Sequence, residues 1–211
     1  MANKRFYIIA FNLIIIYIVG VCGIAFTDME HRALFLKLTP LNLFITTAAA
    51  LWLHPAWNGK GILSSCMIFL AGFFIEVLGV KTGNIFGVYW YGSTLGWKVM
   101  EVPVMIGVNW FLLVYLITVS LQKIKSLPLF AAVAAGVMTL LDYFIEPVAI
   151  RLDFWHWKNE FIPVQNFFAW YGISFFLFFF YRSVNKPVHN PMTPLVLAIQ
   201  FLFFAVLNLL L

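Results

Sequence analysis

Charge is what this sequence has least of. Of 211 residues, 13 are Lys or Arg and 8 are Asp or Glu, together 10%, against about 25% in an ordinary soluble domain. So few charges cannot clothe a water-facing surface, and a soluble domain is excluded. The net charge of +5 has no basic run behind it that would bind nucleic acid. It fits juxtamembrane anchoring, where each basic residue near an anionic surface contributes about 1 kcal/mol. Cysteine is nearly absent: Cys22 and Cys66 both fall inside apolar runs, where a thiol behaves as a small apolar side chain, and no disulfide is expected. His31, His54, His156 and His189 lie in four different loops or helix ends without the spacing of metal ligands, so no metal is expected.

What the chain does have is apolar length. Hydrophobic residues make up 64% and aromatics 19%. A helix needs about 20 apolar residues to cross a bilayer. Seven such runs are present: Phe6 to Phe26, Phe35 to Leu53, Ile62 to Leu78, Pro103 to Leu121, Leu127 to Ile150, Val164 to Tyr181 and Met192 to Leu211. The expected fold class is all-α: a polytopic membrane protein whose residues 1–211 form a single transmembrane domain, a bundle of about seven helices. The first run is long and even, with no small-residue cleavage site after it, so it is expected to stay in the mature protein. Seven spans put the termini on opposite sides. The N-terminus and the 2–3, 4–5 and 6–7 loops then share Lys4, Arg5, Lys60, Lys123, Lys125, Arg182 and Lys186, with no acid. The other side holds Arg32, Lys37, Lys81, Lys98, Arg151 and Lys158. The Lys/Arg bias favours a cytoplasmic N-terminus.

Two connections are long. Gly79 to Met100 carries five glycines and the aromatics Phe86, Tyr89, Trp90 and Tyr91, and Arg151 to Pro163 carries Trp155, His156 and Trp157 in a row. Non-helical backbone near a bilayer survives where it is buried in protein or lines a cavity. The first segment therefore reads as a structured Gly/aromatic lid or short hairpin on one mouth of the bundle, between helices 3 and 4. By alternation both segments emerge on one side.

Four acids lie in or at the ends of the apolar runs: Glu76, Glu101, Asp142 and Glu146. An ionised carboxylate at a helix centre costs roughly 2.5–3.5 kcal/mol on insertion scales, which makes each a candidate functional residue. Asp142 and Glu146 are four apart, hence on one helix face, with Tyr143 beside them and Pro147 after. Two carboxyls that close in a low dielectric cannot both ionise cheaply, so one is expected to stay a neutral acid at pH 7. The alternative is a buried ion pair with Arg151 or Lys98. Glu101 precedes Pro103, where an acid simply complements a helix start. Asn109, Trp110, Gln165, Asn166 and Trp170 add polar and aromatic groups. Of the asparagines, Asn166 is the one near the acidic end, placed to orient a water or a carboxyl. Tyr89, Trp90, Tyr91, Trp155 and Trp157 read either as an interfacial belt or as π-faces lining a pocket that stabilises positive charge.

With these residues assembled, the chain resembles the integral-membrane carotenoid-biosynthesis family that contains carotenoid 1,2-hydratases acting on γ-carotene-like or bisanhydrobacterioruberin-like substrates. The resemblance runs through E-V-L-G-V-K-T-G-N-I-F-G-V-Y-W-Y-G from Glu76 to Gly92, E-V-P at Pro103, D-Y-F-I-E-P-V-A from Asp142 to Ala149, W-H-W at Trp155 to Trp157, and P-V-Q-N-F-F-A-W from Pro163 to Trp170. It covers roughly Gly72 to Tyr171. Phe161-Ile162-Pro163 lacks a glycine expected before Ile-Pro, which bears on the local loop shape.

The resemblance implies hydration of a terminal isoprenoid double bond: protonation at C2, a tertiary cation at C1, and capture by water, with no cofactor. It implies a membrane-dissolved carotenoid as substrate, and association with other enzymes of the same pathway. On that expectation Asp142 is the proton donor, Glu146 its partner, Glu76 the group that positions water and Asn166 an orienter. Tyr89, Trp90, Tyr91, Asn109, Trp110, Tyr143, Trp155, Trp157 and Trp170 would line the substrate site. A carotenoid end-group cyclase would use the same protonation but let an internal double bond capture the cation. A non-enzymatic carotenoid or lipid carrier, or a transporter, also keeps buried acids, although a transporter would usually show paired repeats. The last run has no lysine for a retinal Schiff base.

Overall fold

The computed structural model describes residues 2–211. Its helices are α1 (Ala2–Ala25), α2 (Met29–Lys37), α3 (Thr39–Trp52), α4 (Gly59–Thr82), α5 (Val104–Ser120), α6 (Leu127–Arg151), α7 (Val164–Val184) and α8 (Met192–Leu210). Five of them, α1, α4, α6, α7 and α8, are long and apolar enough to cross a membrane. Their outward faces carry large apolar side chains such as Phe168, Phe176 and Leu202, a surface suited to lipid and not to water.

The second apolar run departs from expectation. Instead of one span from Phe35 to Leu53, α2 and α3 meet at Leu38 with a bend of 43°. Pro40 sits in the first turn of α3. It lacks the amide that would continue the α2 ladder, so the helix restarts there. α5 is a mostly apolar helix of 17 residues and forms the axis of the bundle, with Leu112 to Ile117 buried on every side. It packs against α3, α4, α7 and α8.

Close packing on α5 depends on glycine. A Cβ on Gly72 of α4 would lie 2.4 Å from the Cβ of Trp110. That atom is fixed to the α5 backbone and cannot swing aside, so only glycine allows this approach. Gly72→Ala is expected to push Trp110 out of place and cost roughly 1–3 kcal/mol, read as a lower thermal unfolding temperature of the purified protein in detergent.

Cross-links at the helix ends show the segments running alternately up and down. Arg182 at the end of α7 donates to the Gln122 carbonyl just after α5 at 3.1 Å. Asn185 donates to Ser64 near the start of α4 at 2.9 Å, and Asn190 to the Ala50 carbonyl of α3 at 2.7 Å. At the other end, strand β1 (Tyr89–Tyr91) pairs antiparallel with β4 (Trp155–Trp157), Tyr89 opposite Trp157 and Tyr91 opposite Trp155. The two long connections therefore form one lid at one end, where the alternation of spans puts them.

Between them, β2 (Lys98–Val99) and β3 (Val102–Pro103) make a hairpin whose turn residues, Met100 and Glu101, have φ of 53° and 71°. Two positive φ values at the centre of a two-residue loop match the twist of the flanking strands. Glu101 is thus an exposed turn residue and not the start of a helix, which begins at Val104. Pro147 leaves α6 unbroken as far as Arg151. Near the amide it removes, Asn208 of α8 donates to the Phe144 carbonyl at 2.6 Å.

Candidate active site

Three of the acids meet beneath the lid. Glu76 comes from α4, Asp142 and Glu146 from α6, and all three are buried. Glu76 Oε2 accepts from the hydroxyls of Tyr89 at 2.6 Å and Tyr91 at 2.8 Å, while its Oε1 accepts from Trp110 Nε1 at 3.0 Å. Glu146 Oε2 accepts from the indole N–H groups of Trp155 at 3.0 Å and Trp157 at 2.8 Å, and its Oε1 from Asn166 Nδ2 at 2.9 Å. Asp142 has a single donor: the same Asn166 Nδ2 reaches its Oδ2 at 3.0 Å. Two carboxyl groups thus share one amide, with the accepting oxygens at most 5.9 Å apart.

The lid geometry explains this convergence. Side chains alternate across a strand, so Tyr89 and Tyr91 of β1 both point inward to Glu76 while Trp90 points out. On β4, Trp155 and Trp157 point inward to Glu146. Four aromatic donors from two short strands serve two carboxyls from two different helices. The Asp142 and Glu146 side chains share a face because they are one helical turn apart. No arginine or lysine neutralises the group: among the described residues the ion pairs are His31–Asp28 and His156–Asp153. The ion-pair alternative therefore fails. Arg151 is exposed, and Lys98 Nζ donates to the Tyr91 carbonyl at 2.6 Å.

The acids enclose a chamber of about 30 Å³, lined also by Tyr89, Tyr91, Asn109, Trp110, Trp155, Trp157, Asn166 and Trp170. That is room enough for a water among the polar groups. Trp110 and Trp170 stack at 4.3 Å with their planes 13° apart. Of the candidate substrate residues, two lie elsewhere. Trp90 is 51% exposed on the outer face of β1, and Tyr143, 61% exposed, turns away from the chamber. Phe86 of the Gly/aromatic segment also lines it, as do Ile106 and Ile145; nothing in an apolar run distinguishes the two isoleucines from ordinary core.

A second, largely apolar cleft of about 300 Å³ adjoins the chamber, and Ile106, Asn109, Ile145 and Trp155 line both. Its far wall comes from α1, with Ile15 and Val19 on the exposed face of that helix, so its rim reaches the lipid-facing surface. Small-molecule sites span about 300–1,000 Å³. Its volume and apolar lining suit one end of a long apolar molecule.

The lid is locked from outside. Asp153, in the turn between α6 and β4, accepts from Ser93 N at 2.8 Å, Ser93 Oγ at 2.6 Å and His156 Nε2 at 2.7 Å. Partial burial alone would lift its carboxyl, but the bonds from Ser93 and His156 outweigh that and bring it down to about 2. A carboxyl held low in the folded state adds stability that is complete above its ordinary range and lost as pH falls through the folded value. Lid protection is thus expected to be constant near neutrality and to fail between pH 4 and pH 2, the interval between the ordinary 3.8 and about 2. Hydrogen exchange of the 88–95 amides reads this, and Asp153→Asn should show the loosened lid already at pH 7.

A family model described as carotenoid biosynthesis protein matches residues 39–211. The chain belongs to the carotenoid biosynthesis protein family. Comparison with curated proteins and with solved structures returns no match. In this family member the whole acid chamber falls within the matched residues, whereas α1 and α2, which wall the apolar cleft, precede them.

Proposed function

We propose that the chamber hydrates the terminal 1,2 double bond of an acyclic carotenoid end group. The observation that carries this reading is the unequal hydrogen bonding of three buried carboxyls around a water-sized space joined to an apolar cleft. Hydrogen bonds to a carboxylate favour its charged form. Glu76 and Glu146 each accept three hydrogen bonds and Asp142 only one shared bond, so Asp142 is the carboxyl least supported as an anion and the one assigned to give the proton.

The substrate end enters through the cleft and presents its double bond to Asp142. The Asp142 proton goes to C2 while the π-electrons leave C1 as a tertiary cation. The faces of Trp110, Trp170 and Trp157 and the Glu76 carboxylate oppose the developing charge. Water in the chamber adds its lone pair to C1, and a carboxylate takes the proton it sheds. Return of one proton to Asp142 closes the cycle. The sum is one water added, with no redox change and no cofactor required.

A chamber with room for water beside the acid favours water as the nucleophile over a folded isoprenoid ring precursor, the substrate shape a cyclase must hold. Expression in cells that make lycopene or γ-carotene, with mass analysis of the pigments, tests this. The expected product has gained one water. A product of unchanged mass and altered retention would mark a cyclase, and unaltered pigment a carrier.

A further inference from the structure

At the end of the bundle opposite the acids, a second polar cavity of about 60 Å³ lies among the C-terminal ends of α5 and α7, the start of α4 and the turn after α3. Its lining includes Thr118, Arg182 and Lys186. No acid balances them. Glu76, Asp142 and Glu146 lie in the chamber, Glu30 lies in the first turn of α2, and Asp28, Glu101, Asp153 and Glu160 lie in the connections at the chamber end. Lys60, Lys123 and Lys125 add further positive charge in the α4 start and the α5–α6 turn.

The cavity has the form of a built anion site. Arg182 spends one of its five N–H donors on the Gln122 carbonyl, and its guanidinium rests over the Phe130 ring at 5.6 Å, which fixes its position. Asn58 caps α4, whose first-turn N–H groups bring the positive end of a 24-residue helix to the same place. Thr118 is 5% exposed and its hydroxyl has no hydrogen-bond partner among the described residues. A buried hydroxyl left unpaired is costly, and a ligand oxygen would satisfy it. Beside the cavity, Ile62, Leu63 and Val184 are exposed apolar residues on which acyl chains can lie.

We propose that this cavity binds a phosphate oxyanion, supplied by the headgroup of an anionic lipid, against Arg182, Lys186 and the Thr118 hydroxyl. The purified full chain would be placed in phosphatidylcholine nanodiscs, with or without phosphatidylglycerol, and its Tm and its retained lipid in native mass spectra measured. Phosphatidylglycerol is expected to raise Tm saturably and to persist as a bound adduct. Arg182→Gln combined with Lys186→Gln should weaken that response roughly tenfold or more, since each basic residue near anionic lipid contributes about 1 kcal/mol. Thr118→Val gives a second arm should the double variant fail to accumulate. It is expected to raise Tm in phosphatidylcholine, by removing an unpaired hydroxyl, and to shrink the increment from phosphatidylglycerol. Inorganic phosphate producing the same increment in phosphatidylcholine would overturn the lipid as the source. Equal Tm in both lipids, or an undiminished increment in either variant, would overturn the site.

Discussion

Asp142→Asn is expected to lower hydrated carotenoid per molecule of protein by ~10²–10⁴, the range that general acid catalysis supplies, while the protein still inserts and accumulates. The two halves of that expectation come from one geometric fact. Asp142 accepts a single hydrogen bond, from Asn166, and an asparagine oxygen at the same place can accept it equally well. Little folding free energy is at stake, yet the chamber carboxyl with the fewest hydrogen-bond donors, the proposed proton donor, is gone. Glu101→Gln, in an exposed turn, is the matched control and should leave the product unchanged. Near-normal hydration in Asp142→Asn, with loss in Glu76→Gln, would transfer the donor role to Glu76. Full product with Asp142, Glu146 and Glu76 each neutralised in turn would sink the acid mechanism altogether.

The site was legible in the sequence to the extent that its residues contrast with their surroundings. A carboxylate in an apolar run stands out, and a spacing of four places Asp142 and Glu146 on one helix face. Tyr143 shows the opposite case: it is adjacent in sequence, but neighbouring residues on a helix do not face the same way. Trp90 fails for the analogous reason on a strand. Reading Tyr89-Trp90-Tyr91 as a loop left all three as candidates, whereas a two-residue period puts the tyrosines inside and the tryptophan out. Ile106 and Ile145 carried no signal, since isoleucine in an apolar helix looks the same whether it lines a chamber or packs a core. The seven apolar runs were legible from length alone. The break at Leu38 was not, because hydropathy stays high across it while the missing amide of Pro40 changes only the backbone.

Glu76→Gln is expected to lower activity steeply, and also to reduce the amount of protein, which Asp142→Asn should not. Tyr89, Tyr91 and Trp110 aim three donors at the two Glu76 oxygens. A glutamine offers one oxygen and one NH₂ group. With its oxygen toward the tyrosines it faces the Trp110 N–H with another donor; turned over, its NH₂ can donate to the tyrosine oxygens, but both hydroxyl hydrogens lose the carboxylate that accepted them. Each buried donor left unpaired costs about 1–3 kcal/mol, enough to lower accumulation of a marginally stable protein. The lost negative charge opposite the cation accounts for the fall in product, on the order of 10²-fold. Adding Tyr89→Phe and Tyr91→Phe to Glu76→Gln separates the two effects, because the stranded hydroxyls go while the charge stays absent. Accumulation should recover, as groups in one network are not additive, and hydration should not. If the combined variant regained its product along with its abundance, Glu76 would be a structural anchor for the lid, and the anion would have no part in the chemistry.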